Sequence, residues 1–120
     1  MKAKILGFKG EKLAEKYLRS KNYEILDKNF TVRGGEIDIV ARDKNILVFV
    51  EVKTRTQENF GEGNESMDKH KAKKLMYAIQ RYIDSKIKKH NPDYRLDLIE
   101  IELYADGGVK NINHFEDIEF

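Results

Sequence analysis

The 120-residue chain has no cysteine, a single proline and almost no net charge. Without cysteine there is no disulfide scaffold, no thiolate metal site and no cysteine nucleophile. The near-balance of 23 Lys and Arg against 21 Asp and Glu leaves +2, so the total charge names no partner and only its distribution can. No apolar run approaches membrane-spanning length, and the N-terminus lacks the apolar stretch of a secretory signal. The cytoplasm is therefore the expected compartment, with no membrane partner. One proline among 40% hydrophobic and 37% charged residues argues against disorder. A chain of this length supports one domain, 1–120, burying roughly two-thirds of its unfolded surface, with no room for a second.

Most informative among the residues present is Ile46 to Arg55, Ile-Leu-Val-Phe-Val-Glu-Val-Lys-Thr-Arg. Five apolar residues rich in β-branched side chains predict a strand covered on both faces. Glu51 and Lys53 then fall on the face already used by Leu47 and Phe49. Burying such charges costs several kcal/mol unless each has a partner or a ligand.

Around this strand the chain reads in order. Ile5 to Lys21 predicts a helix whose stripe includes Gly7, Gly10, Ala14, Tyr17 and Leu18. Close approach of that face to a sheet would explain its glycines. Glu11 flanks the stripe, with Glu15 the alternative. Tyr23 to Arg33 predicts a strand interrupted near Asp27 to Asn29, and Gly34-Gly35 a turn. Glu36 to Arg42 follows as a second strand, expected to place Ile37, Ile39 and Ala41 on one side and Glu36, Asp38 and Val40 on the other. The short Asp43-Lys44-Asn45 connection makes this strand and the next antiparallel neighbours, so Asp38 and Glu51 are expected side by side.

Thr56 to Ser66 reads as a polar loop. Asp68 to about His90 predicts a long helix with Ala72, Leu75, Met76, Ile79, Tyr82, Ile83 and Ile87 as its buried face. Its opposite side and ends are basic. Leu96 to Leu103 and Val109 to Phe115 complete the set as strands, the last at a sheet edge.

Glu11, Asp38 and Glu51 thus converge from three segments, with Lys53 beside them. Clustered carboxylates form a hard oxygen site for Mg²⁺ or Mn²⁺. A bound ion would polarise a phosphoryl oxygen and activate a water, while Lys53 orients that water or balances charge. Spacing alone fits a cross-strand ion-pair group equally well, with Lys53 neutralising Asp38 and Glu51.

Gly35-Glu36-Ile37-Asp38-Ile39-Val40 followed by Phe49-Val50-Glu51-Val52-Lys53-Thr54-Arg55 resembles the signature of the small bacterial YraN family (UPF0102). Gly10-Glu11, Ala14, Tyr17-Leu18, Asn29-Phe30, Phe60-Gly61, Lys71 and Arg95-Leu96-Asp97 extend the resemblance along nearly the whole chain. Members have been described as predicted endonucleases distantly similar to archaeal Holliday junction resolvases. The resemblance implies an α/β restriction-endonuclease-like core, a mixed sheet flanked by helices in the order α-β-β-β-α-β-β. It also implies Asp38 and Glu51 as metal ligands, Lys53 as catalytic lysine and Glu11 as an accessory acid. Ile37 stands where a proline often precedes the motif aspartate.

The leading expectation is a Mg²⁺- or Mn²⁺-dependent endonuclease acting on DNA, including branched or distorted DNA. The alternative is a nucleic-acid-binding or assembly protein that keeps the fold without turnover. Lys69, Lys71 and Lys73, then Arg42 and Arg55, are the expected phosphate contacts. A homodimer is expected, with Phe30, Tyr104 or Phe115 as candidate interface residues.

Overall fold

A computed structural model describes residues 3–56, 69–88 and 91–119. Its elements are α1 (Ala3–Ser20), β1 (Glu24–Val32), β2 (Gly35–Asp43), β3 (Ile46–Thr56), α2 (Lys69–Lys86), β4 (Tyr94–Leu103) and β5 (Val109–Phe115). The expected polar loop after Thr56, the helix start at Asp68 and its end at His90 lie outside the described residues.

The five strands form one sheet in the order β1-β2-β3-β4-β5. β1, β2 and β3 are successive antiparallel neighbours, β3 and β4 run parallel, and β5 returns antiparallel along the edge. A parallel neighbour requires a crossover, and α2 lies on that crossover. This is the mixed, helix-flanked sheet of the restriction-endonuclease-like fold, in the expected order.

β3 is central and covered on both faces. Val48 and Val50 pack with Ala14 and Leu18 of α1 and with Ile99 and Ile101 of β4. Leu47 and Phe49 pack on the other face with Leu75, Ile79 and Tyr82 of α2. Phe49 is wholly buried, and its ring meets those of Tyr82 and Tyr94 edge-on, each with centroids 5.7 Å away. Truncating such a ring costs about 3–5 kcal/mol.

α1 ends in a Schellman arrangement. Tyr23 N–H donates to the Leu18 carbonyl and Asn22 N–H to that of Arg19, with Asn22 in the left-handed region at φ 69°. The C-terminal segment is held through buried Asp97, which accepts from Arg95 Nε (3.0 Å), His114 Nε2 (2.7 Å) and Asp117 N–H (3.0 Å). Burial pushes the Asp97 carboxyl up, but these hydrogen bonds outweigh it and hold the group below the usual carboxylate range.

The expectations for Ile37, Met76 and Phe30 need correction. Ile37 does not share a side with Ile39: it packs with Val40 and α2, while Ile39 and Ala41 face α1. The cause is a bend in the β1–β2 ribbon. Asn29 adopts φ 51°, and β1 carries a register shift between Ile25 and Asp27. Lys28 therefore reaches Glu15 of α1 at 3.1 Å, whereas Phe30, two residues on, packs against Tyr82 of α2 at 5.0 Å. Their partners Ile39 and Ile37 diverge in the same way. On α2, Met76 is 38% exposed, and Ala78 takes the buried place instead. Phe30, packed on Tyr82, is not free for an interface, while Tyr104 and Phe115 are exposed.

Close approach accounts for Gly10 but not for Gly7. A Cβ at Gly10 would collide with the Thr54 side chain of β3, whereas one at Gly7 would meet nothing within 4 Å. Gly7→Ala should stabilise the protein by about 0.5–1 kcal/mol through helix propensity. Gly10→Ala should destabilise it, because α1 must move off the sheet. Denaturant unfolding of the two variants checks this, and shifts of the same sign would contradict the packing.

Candidate active site

The ladder between β2 and β3 runs from Asp43↔Ile46 to Ile39↔Val50. One residue further, at Asp38, β2 bends away, and the gap is where the carboxylates meet. Asp38 Oδ2 accepts from the Val52 backbone N–H at 2.8 Å, satisfying a donor on the β2 side of β3. The Glu51 carboxyl lies beside that of Asp38 in one cavity, close enough for Asp38 to push it up. Asp38 and Glu51 are 9% and 8% exposed, so both acids are largely withdrawn from water.

The cation at this pair comes from α2. Lys71 Nζ lies 3.8 Å from Glu51 Oε1. Lys53 is half-buried on β3, opposite Glu100 in the β4 register, and makes no salt bridge among the described residues. A buried Glu51–Lys53 pair is therefore not what holds this region together. Asp38, Glu51, Glu36, Lys71 and Lys74 line a cavity of about 450 Å³, together with Gly34 and Gly35. Gly35 is required there, because a Cβ would collide with the Lys74 carbonyl of α2.

Glu11 lies on the other flank of Asp38. It shares a smaller cleft with Asp38, Lys28 and Asn29, whose side-chain amide favours the charged form of Glu11. Burial first, then the charges of Asp38 and Glu36, push its carboxyl up to about 7. Burial also dominates at Glu51, reinforced by the hydrogen bond and charge of Asp38 and opposed by Lys71, and holds that carboxyl well above the ordinary range.

Glu11, Asp38 and Glu51 thus come to one region, with Asp38 between the other two. The expected phosphate contacts separate. Lys71 is at the carboxylates, whereas Lys69 and Lys73 line a different cavity with His70, Ala72 and Met76. Arg55 is buried on β3, and exposed Arg42 sits towards the hairpin end of β2. Lys74 was not anticipated, although its place one helical turn after Lys71 is readable from i, i+3 spacing.

Among the described residues no three His, Cys, Asp or Glu side chains form a group able to hold a metal ion. Two carboxylates in contact nevertheless suit Mg²⁺ or Mn²⁺, since Mg²⁺ is commonly held by one or two carboxylates and completed by waters and substrate phosphates. A cation there would also offset the burial and the Asp38 charge that raise Glu51.

A bent β-hairpin presenting paired acids at the centre of this sheet defines the restriction-endonuclease-like class. Within that class, the chain belongs to the family described as Uncharacterised protein family UPF0102, matched over residues 10–101. It is 46% identical to a UPF0102 protein of Caldanaerobacter subterraneus over 113 residues, covering 92% of this chain and 91% of that protein. It is 42% identical to one from Carboxydothermus hydrogenoformans, covering 98% of both. A Thermodesulfovibrio yellowstonii UPF0102 protein is 44% identical, covering 96% of each.

Glu11 and Glu51 keep a proton to higher pH folded than unfolded. Their contribution to stability is full below the ordinary glutamate pKa near 4.3 and falls as pH rises towards the folded values. In chelator, the wild type should lose stability between about pH 5 and 8, and Glu51→Gln should show a shallower slope. Denaturant unfolding at each pH measures this; parallel slopes would contradict the strain assigned to Glu51.

Proposed function

We propose that the chain is a divalent-metal-dependent nuclease that hydrolyses a phosphodiester bond of DNA, including branched or distorted DNA. The observation supporting this most directly is the contact between Asp38 and Glu51 at the end of the β2–β3 ladder, with Lys71 beside it. In this reading Asp38 and Glu51 hold Mg²⁺ or Mn²⁺, which when bound polarises a phosphoryl oxygen and activates water.

The chain's own residues supply the rest. The Val52 N–H fixes the Asp38 carboxylate, so the acid is oriented before any ligand arrives. Lys53, on the same strand face as Glu51, orients the attacking water and balances charge on the phosphate. Glu11 acts as the accessory acid next to Asp38. Lys71 and Lys74 take phosphate oxygens inside the cavity, and Lys69 and Lys73 extend the basic surface along α2. Arg55 and Arg42 are the remaining phosphate candidates.

Replacing Glu51 with glutamine separates catalysis from scaffolding. Lys71 is 43% exposed at its side chain, so losing its pair with Glu51 costs no more than about 0–1 kcal/mol. A neutral glutamine needs no proton to be buried beside Asp38, which offsets that loss. In chelator Glu51→Gln should be as stable as the wild type or slightly more so. Mn²⁺ should stabilise the wild type, by about 2.7 kcal/mol at a hundred times its Kd, and leave the variant unmoved. Lys53→Met should keep the Mn²⁺ effect and lose cleavage of branched and linear DNA. A loss of several kcal/mol for Glu51→Gln in chelator, with no Mn²⁺ effect on the wild type, would overturn the metal site. Mn²⁺ stabilisation and DNA binding without cleavage would make the protein a binder that keeps the fold.

A further inference from the structure

The cleft on the Glu11 side of Asp38 has an edge that metal chemistry does not use. Phe8 stands one helical turn before Glu11 and Lys12 on α1 and is 64% exposed, although it is among the largest apolar side chains of the helix. Lys12 Nζ lies over its ring, 5.1 Å from the centroid. Phe8, Glu11, Lys12, Lys28, Asn29 and Asp38 line a common cleft of about 120 Å³. An exposed ring with a cation beside it, opening directly on a candidate catalytic aspartate, is poorly explained by packing, because it buries little.

Its chemistry is graded from floor to rim. Glu11 and Asp38 at the floor repel phosphate and accept hydrogen bonds from N–H groups such as those on base edges. Lys12 and Lys28 at the rim attract the backbone. Among the described residues, Lys12 is held by a surface cation–π contact, of about 0.5–1 kcal/mol, and half-exposed Lys28 by a surface pair with Glu15. Both exchange readily for phosphate. A ring at a cleft edge offers its face to a base only if that base has left its own stack.

We propose that this cleft receives an unpaired nucleotide of a DNA strand next to the bond to be cut, its base stacked on Phe8 and its phosphates met by Lys12 and Lys28. The inference rests on the nuclease reading for the position of that bond, but its binding test needs no turnover. It narrows the substrate class to DNA with unstacked nucleotides, such as forks, flaps and junctions, over continuous duplex.

The chain contains no tryptophan, so Phe8→Trp places a single, selectively excitable indole at the stacking position. Titrating this variant in chelator with a forked DNA carrying unpaired arms should quench its emission, and a blunt duplex of the same length should not. In anisotropy titrations Phe8→Leu should weaken fork binding about 5- to 150-fold, the range of one lost base–aromatic stack, and change duplex binding less than twofold. Phe8→Leu should also leave the unfolding midpoint unchanged, since the ring is largely in solvent. Equal losses on fork and duplex, no loss on either, or unquenched emission with bound fork would overturn the proposal. Phe8-dependent fork binding without Mn²⁺-dependent cleavage would uphold it and refute the nuclease reading. Cleavage indifferent to Phe8 would do the reverse, and a wild type that binds neither DNA would overturn both.

Discussion

Two carboxyl groups meet where a β-ladder stops, and the surrounding structure exists to keep them there. Asp38 and Glu51 would repel each other in water and drift apart. In the fold each is fixed to a strand beside deeply buried residues: Ile37 and Ile39 flank Asp38, and Phe49 and Val50 precede Glu51. Moving either acid away would pull an apolar neighbour out of the core, at roughly 1.5–3 kcal/mol per side chain. Hydrophobic packing on both faces thus holds an electrostatically unfavourable pair. The Val52 N–H and Lys71 make it tolerable.

The bend at Asn29 and Asp38 leaves the pair open on both flanks. In an uninterrupted ladder Asp38 would sit in register with β3, closing the space beside Glu51. Because the β1–β2 ribbon turns over, α1 approaches one flank of Asp38 and α2 the other. The same acid consequently borders the Glu11 cleft and the Lys71–Lys74 cavity. A strand threaded past Asp38 would meet the lysines of α2 on one side and Phe8 on the other. Family membership in UPF0102 places the chain among proteins of its own length, and the site itself carries the functional reading.

Much of this was legible in the residues. The alternation from Glu36 to Arg42 and the apolar run from Ile46 to Val50 located two neighbouring strands, and the short polar connection between them put Asp38 near Glu51. The stripe through Ala14 and Leu18 identified the sheet-facing side of α1. What failed to read out was geometry that no period encodes. The ribbon bends at left-handed Asn29, opposite the change of face between Ile37 and Ile39, and strict alternation cannot register it. Lys53 was the obvious cation for Glu51 because it is two residues away on one strand face. Lys71 supplies it instead, since the crossover lays α2 over the carboxylates and contacts of that separation leave no local signature. Similarly, Met76 looked more apolar than Ala78, but the close fit of α2 against Gly35 favours the smaller side chain.

Crystals grown in chelator and soaked in Mn²⁺, with diffraction recorded near the manganese absorption edge, test the central claim most directly. The account predicts an anomalous peak bonded to carboxylate oxygens of both Asp38 and Glu51, at about 2.0–2.2 Å, with Lys71 displaced from Glu51. Saturating Mn²⁺ that leaves no peak between these acids, with Lys71 still on Glu51, would contradict it.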